Sequence, residues 1–205
     1  MNKFSTFILF LFSLLLISCG DTSENDFSFV ESSEASKINE INRKEAFDYL
    51  NAVRNEPSAY SDELGVDLSD VERRSQLIWN DALAMAAYNK VKDMAEKKYF
   101  SHVDSAGYGM NYRINEAGFH LADYLLQSKT ANSFESIAAG TKLNTGKIMI
   151  QRLIIDKDIE GFGHRKHLLG MTDFWAESEY CGIGFYKQPG SRYTHYICVL
   201  IARHE

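Results

Sequence analysis

The pattern of hydrophobic and polar positions predicts helices in the first part of the chain and strands at its end. A first apolar stripe at helical spacing consists of Ile41, Ala46, Tyr49, Leu50 and Val53. It stops before Pro57, because proline disfavours helical backbone in the residue that precedes it. A second stripe follows Asn80, a residue type that caps helix N-termini, and consists of Leu83, Ala87, Val91 and Met94.

The end of the chain has the pattern of a β-hairpin. Two runs rich in β-branched and aromatic residues, YCGIGFY and YTHYICVLIA, are separated by the polar segment KQPGSR. Both faces of the hairpin carry apolar side chains and need cover, with Ile183, Phe185 and Leu200 on one face and Ile197, Val199 and Ile201 on the other. Helices that precede such a sheet predict an α+β fold with helices flanking an antiparallel sheet. The segment GKIMIQRLIIDK fits a helix or a strand.

The cysteines of the hairpin suggest a disulfide. A loop centred between Pro189 and Gly190 places Cys181 directly opposite Cys198. The two residues are within bridging distance if they form a non-hydrogen-bonded pair. The alternative is a pair of small buried thiols.

The N-terminus has the pattern of an export signal. Lys3 precedes an apolar run over residues 4–17, which as a helix rises only about 21 Å, against roughly 30 Å for a hydrocarbon core. Residues 1–18 are therefore predicted to be a signal segment. The run ends in LISC, which resembles a bacterial lipobox and implies lipidation of Cys19. The alternative is a plain secretory signal. The lipobox reading predicts a membrane-anchored bacterial lipoprotein, on the outer membrane or the cell surface.

Composition separates a tether from a folded domain. Residues 19–37 are acidic and rich in serine and threonine, so they are predicted to be a flexible tether. The remaining residues 38–205 have the length of one domain. The net charge of −6 argues against a nucleic-acid partner, because phosphate binding requires a basic face.

Several segments, taken in order, resemble one family. They are LNAVRNEPSAY, LIWNDALAMAAYNKVKDMA, FSHVDSAGYGMNYRINEAGF, FESIAAG, LIIDKDIEGFGHRKHLLG and CGIGFY, which together cover about residues 45–203. The chain resembles the CAP superfamily of cysteine-rich secretory proteins, antigen 5 and pathogenesis-related 1, whose shared unit is also called the SCP domain. The resemblance implies a three-layer α-β-α sandwich with a central antiparallel sheet.

The resemblance also implies a cleft lined by two histidines and two acids. His102 matches the histidine of the S-H segment, and Glu135 matches the acid that opens the E-N-x-A motif. His164 matches the histidine of the G-H-R segment, and Asp156 matches the acid ahead of it, one carbon shorter than the usual Glu. Ser136 departs from the family pattern, because it replaces the usual Asn.

The four cleft residues predict a possible metal site. Imidazole is a common ligand of Zn²⁺, so His102 and His164 are the metal candidates, for zinc or another divalent ion. Glu135 and Asp156 are expected either to bind the ion or to orient the two rings. His167 does not fall on a cleft position and is expected to pack in the fold or lie on the surface.

Two classes of function fit this cleft. The first is a surface-tethered, non-catalytic domain that binds a small molecule, lipid, glycan or protein, since the family includes sterol and lipid binders. The second is a metal-assisted hydrolase, a peptidase or esterase, that uses water in the same cleft. Binding is the favoured expectation, because fold alone does not determine activity.

Overall fold

The computed structural model of the protein describes residues 34–157 and 159–204. Its helices are α1 (Glu34–Asn55), α2 (Ser61–Leu64), α3 (Asp81–Glu96), α4 (Met110–Glu116), α5 (Gly146–Ile155), α6 (Gly163–Leu169) and α7 (Asp173–Ala176). Its strands are β1 (Ile78–Trp79), β2 (Glu135–Gly140), β3 (Tyr180–Lys187) and β4 (His195–Ala202). Short 3₁₀ turns lie at Pro57–Tyr60, Asp123–Leu126 and Glu160–Phe162.

The predictions for the N-terminus fall largely outside this range. The signal segment of residues 1–18, the lipidation residue Cys19 and most of the tether precede Glu34, the first described residue. Helix α1 begins at Glu34, ahead of the predicted domain start at Ile38. Over residues 34–157 and 159–204, no helix combines the length and the hydropathy needed to cross a bilayer.

The two predicted helices form where the apolar stripes indicated them. Helix α1 ends at Asn55, two residues before Pro57, and buries its stripe except for Ile41, which is 67% exposed. Helix α3 begins after Asn80, whose Oδ1 accepts a hydrogen bond from the backbone N–H of Leu83 at 3.0 Å. The ambiguous segment GKIMIQRLIIDK is a helix, α5, and Thr145 caps it through Ile148 N.

The sheet has the order β1-β3-β4-β2. Strands β3 and β4 pair antiparallel, as do β4 and β2. The two-residue strand β1 pairs parallel with β3, so the sheet is mixed rather than wholly antiparallel. The α+β class and the α-β-α sandwich are confirmed.

Each face of the sheet is covered by its own helices. One core joins α1, α5 and α6 to side chains of the sheet that include Ile183, Ile197 and Val199. The other joins α3 and α4 to sheet residues that include Ile137, Cys198 and Leu200. Neighbouring residues of β4 therefore point into different cores, as the alternation of a strand requires.

Two glycines of β3 bring α3 unusually close to the sheet. A methyl group on Gly182 would overlap the backbone of Leu83 and Ala84 in α3. A methyl group on Gly184 would overlap the backbone of Ala87 one turn later. The glycines of the segment CGIGFY thus allow the helix backbone to rest directly on the strand.

The predicted register of the hairpin is wrong. Lys187 pairs with His195, so the loop is centred on Ser191 and not between Pro189 and Gly190. Gln188 N donates to Thr194 O at 2.8 Å across this longer loop. As a result Ile183 and Phe185 share a face with Ile197, Val199 and Ile201, and Leu200 lies on the other face.

The register also removes the predicted disulfide. Cys181 pairs with Ile201, and Cys198 pairs with Gly184. Cys181 belongs to the core beneath α1 and Cys198 to the core beneath α3, so the two thiols lie on opposite faces of the sheet. Both cysteines are free and buried. The alternative prediction, a pair of small buried thiols, is therefore the correct one.

Candidate functional site

His102 is held by a buried acid at the start of β2. Its Nδ1 lies 2.6 Å from Oε2 of Glu135, the first residue of that strand. A carboxylate only accepts hydrogen bonds, so Nδ1 carries the ring proton and donates it. The amide Nδ2 of Asn132 lies 2.8 Å from the same Nδ1 and 3.2 Å from the same Oε2. Since the ring proton points at Glu135, Asn132 donates to Oε2 rather than to the ring.

Asp156 accepts hydrogen bonds from the ring of His164 and from nearby backbone N–H groups. Oδ1 of Asp156 lies 2.7 Å from Nδ1 of His164. Oδ2 accepts from the backbone N–H of His164 at 2.9 Å and from that of Arg165 at 3.3 Å. Asp156 follows the last residue of α5 in left-handed backbone with a φ of 50°, a conformation that aspartate tolerates better than most residues.

The two histidine–acid pairs meet at one place. The ring centroids of His102 and His164 are 6.5 Å apart, with an angle of 30° between the ring planes. The side chain of His102 is 46% exposed and that of His164 is 20% exposed, while both acids are buried. Within residues 34–157 and 159–204, neither Nε2 atom has a hydrogen-bond partner. The structure therefore brings the four family positions into one site that is open at the rings.

Two further groups contact the Glu135 carboxylate and the His102 backbone. The thiol of Cys198 lies 3.6 Å from Oε1 of Glu135. Burial and the neighbouring charge of Glu135 hold the pKa of this thiol well above its usual value, so the sulfur stays protonated and can donate. Lys90 of α3 donates from Nζ to the backbone carbonyl of His102 at 2.9 Å.

Two exposed apolar side chains precede His164 in the chain. Ile159 and Phe162, on the turn that leads into α6, are each 45% exposed. Phe162 has left-handed backbone with a φ of 52°, and the Arg165 guanidinium lies 4.4 Å from the centre of its ring. A bulky residue in this conformation is strained.

His167 is separate from the cleft, as expected for a packing residue. It is fully buried, its Nδ1 lies 2.7 Å from Oγ of Ser136, and its Nε2 lies 3.4 Å from the carbonyl of Ile201. Because a carbonyl only accepts, Nε2 carries the proton and the Ser136 hydroxyl donates to Nδ1. Burial, with the charge of Arg54 nearby, lowers the pKa of His167 to about 3. Ser136, the departure from the family motif, thus serves this buried ring.

Sequence reasoning identified the four cleft positions but not their supports. Asn132, Lys90 and Cys198 carry no motif, and nothing in the local pattern distinguishes them from other polar or small residues. Asn132 could have been found only through its place three residues before Glu135, in the loop that enters β2. Lys90 and Cys198 come close to the cleft only through the packing of α3 on β4.

The donor set restricts how a metal could bind. Over the described residues, no group of three or more His, Cys, Asp and Glu side chains is placed to bind one ion. The two free donors are Nε2 of His102 and Nε2 of His164, because Glu135 and Asp156 are used by the Nδ1 atoms. Catalytic zinc sites usually have three protein ligands and structural sites have four. An ion at this place would have the two imidazole Nε2 atoms as its protein ligands, with water or a ligand completing its coordination.

Comparison with known proteins decides the family. Residues 47–200 match the family model described as CAP, the cysteine-rich secretory protein family. The chain belongs to the CAP family. No match to this CAP chain was found among curated proteins.

Two solved structures share the fold of this CAP domain. One is an extracellular protein containing an SCP domain from Bacillus anthracis str. Ames, with a TM-score of 0.55 and 21% identity over 82% of this chain. The match covers 43% of that protein, so the chain spans less than half of its length. The other is an outer surface protein from Borrelia burgdorferi, with a TM-score of 0.50 and 16% identity. That match covers 80% of this chain and 97% of the Borrelia protein.

Proposed function

We propose that this CAP domain binds a ligand outside the cytoplasm through the cleft between His102 and His164. One observation carries the proposal: two buried acids fix both rings by their Nδ1 atoms and leave both Nε2 atoms free at a shared opening. Preorganised rings of this kind lose little conformational entropy when a ligand binds them. The two structural neighbours, an extracellular protein and an outer surface protein, agree with a location outside the cytoplasm.

In this proposal the cleft binds a divalent ion together with a ligand that has an apolar portion. Nε2 of His102 and Nε2 of His164 would hold a divalent ion such as Zn²⁺, which would supply a Lewis-acidic centre with open coordination positions. Glu135 and Asp156 orient the rings and raise the basicity of the free nitrogens. The exposed side chains of Ile159 and Phe162, which precede His164 in the chain, contact an apolar portion of the ligand that completes the site.

Zinc titration of the full chain by calorimetry tests the cleft. Wild type is expected to bind one ion, and His102→Ala and His164→Ala are each expected to weaken the affinity by about tenfold or more, since each removes one of two ligands. His120→Ala, at an exposed histidine outside the cleft, serves as the matched control and should bind as wild type does. An unchanged zinc affinity in either cleft variant would show that the ion does not bind between His102 and His164.

The same variants test the alternative, a metal-assisted hydrolase. Zinc-loaded wild type and His102→Ala are incubated with a broad panel of peptide and ester substrates. The binding proposal expects no turnover above the level of the variant. Turnover that requires His102 would replace the binding function with hydrolysis at the same cleft.

We also propose that lipid on Cys19 tethers the domain to the membrane, because the apolar signal run ends in LISC. Wild type is expected to partition into the detergent phase, and mass spectrometry of the native protein should show a lipid-modified Cys19 at the new N-terminus. Cys19→Ala should give soluble protein or uncleaved precursor. An unmodified Cys19 in native membranes contradicts the tether and leaves the cleft proposal untouched.

A further inference from the structure

A second concave site lies between α3 and α4. Its volume is about 420 Å³, within the range of roughly 300–1,000 Å³ typical of small-molecule sites. The apolar part of its lining consists of Met85, Ala86, Met110 and Ala117. We call this site the α3–α4 groove.

Lys90 is the most unusual residue of the groove lining. It is only 3% exposed, yet its ammonium donates a single hydrogen bond, to the carbonyl of His102, and lies 5.5 Å from the centre of the Tyr99 ring. An ammonium has three donors. In the described part of the chain no carboxylate forms an ion pair with Lys90. Buried charges are normally paired, because burial without a partner is costly.

The other charged side chains of the groove are already paired with each other. Asp93 pairs with Lys97 at 2.6 Å. Arg113 pairs with Asp104 at 2.6 Å and with Glu116 at 2.5 Å. These pairs hold three acids against two bases, so the charges of the lining balance once the cation of Lys90 is counted. Lys97 and Glu116 are more than half exposed, and exposed pairs exchange partners at little cost.

We propose that the α3–α4 groove binds a small apolar α-amino acid in its zwitterionic form. The ligand carboxylate accepts from the ammonium of Lys90, and the ligand ammonium pairs with Glu116, the most exposed of the three acids. The apolar side chain of the ligand packs against Met85, Met110 and Ala117. This site uses neither cleft ring and does not depend on the function proposed for the cleft.

Leucine and two analogues test each part of this arrangement. Leucine is titrated into the full chain, with binding followed by calorimetry and by the amide shifts of α3 and α4. Leucine is expected to bind at one saturable site. Leucinamide, which lacks the carboxylate, and 4-methylpentanoate, which lacks the ammonium, should each bind about tenfold more weakly or worse, because each loses one of the two charged contacts that leucine makes with the groove. No saturation, or equal binding of leucine and leucinamide, would overturn the proposal.

Two variants separate binding from stability. Lys90→Met keeps the length of the side chain and removes its charge, so it should fold as well as wild type if well packed, and it should lose leucine binding. Ala117→Leu adds bulk at a partly exposed wall of the groove and should also abolish binding without unfolding the domain. His164→Ala is the control and should bind leucine normally. Leucine binding that survives both Lys90→Met and Ala117→Leu refutes the site.

Discussion

Gly184→Val is expected to unfold the domain or to lower its free energy of unfolding by about 3 kcal/mol or more. The Cβ of any larger residue at this position overlaps the backbone of Ala87 and Tyr88 in α3. The helix backbone cannot give way as a flexible side chain would, because α3 rests on the whole length of β3 and β4. Overpacking a well-packed core costs about 1–3 kcal/mol even when side chains can adjust, so a clash with backbone should exceed this range.

Urea denaturation of the variant and of wild type, followed by circular dichroism, measures this effect. Gly163→Ala is the matched control, because no atom lies within 4 Å of a Cβ at that position. The control should change the free energy of unfolding by less than about 1 kcal/mol. A Gly184→Val protein as stable as the control would show that α3 does not approach the sheet as closely as described.

Acidification from pH 7 is expected to destabilise the domain well before its carboxylates titrate. Burial of His167 between Ser136 and Ile201 lowers its pKa to about 3, whereas an unfolded histidine titrates near pH 6.5. Between these values the unfolded chain binds a proton that the folded domain does not bind. Stability is therefore lost as pH falls from about 6.5 towards 3, by up to about 1.4 kcal/mol per pH unit.

Chemical denaturation at pH 7.5, 6.5, 5.5 and 4.5 gives this slope directly. The pKa of His195 is also lowered, by burial and by Lys187, so it contributes in the same direction. His167→Gln should lose stability at pH 7.5 and show a shallower slope than wild type, while His195→Gln should keep most of the slope. An equal slope in wild type and His167→Gln would mean that His167 is not the group that titrates.

The helices could be predicted from sequence because their signals are local. The stripe of Leu83, Ala87, Val91 and Met94 is fully buried on the sheet, and the cap at Asn80 forms as expected. Both depend on residues within a few positions of each other. The exposure of Ile41 in α1 shows what an apolar stripe cannot predict. The stripe gives the face of the helix that is buried, but not how far along the helix the burial extends.

The hairpin register could not be predicted, because long-range contacts determine it. Pro189 and Gly190 have the composition of a tight turn, but the turn forms around Ser191. The hydroxyl of Ser191 donates to the carbonyl of Ala95 at the end of α3, at 2.5 Å, and lies 2.9 Å from the hydroxyl of Tyr196. These contacts exist only after α3 has packed on the sheet. The disulfide prediction failed with the register on which it depended.

The cleft was predicted through the family resemblance, but its chemistry required coordinates. The sequence left Glu135 and Asp156 as either metal ligands or supports of the rings, and in the structure each acid accepts a hydrogen bond from the Nδ1 atom of a cleft ring. The double use of Asp156, which binds the ring of His164 and two backbone N–H groups, also has no signature in the sequence. It depends on left-handed backbone directly after α5.

The two cleft rings come from distant parts of the chain. A ligand that binds both rings should therefore raise the melting temperature of the domain. His102 and His164 are brought together only when β2 and α6 have folded, so a molecule that contacts both rings binds the native state and not the unfolded chain. Such a ligand stabilises the domain by about 2.7 kcal/mol at a hundred times its dissociation constant. A thermal-shift screen of metals and small molecules can therefore search for the occupant without an assay for activity, and His164→Ala identifies the hits that act through the cleft.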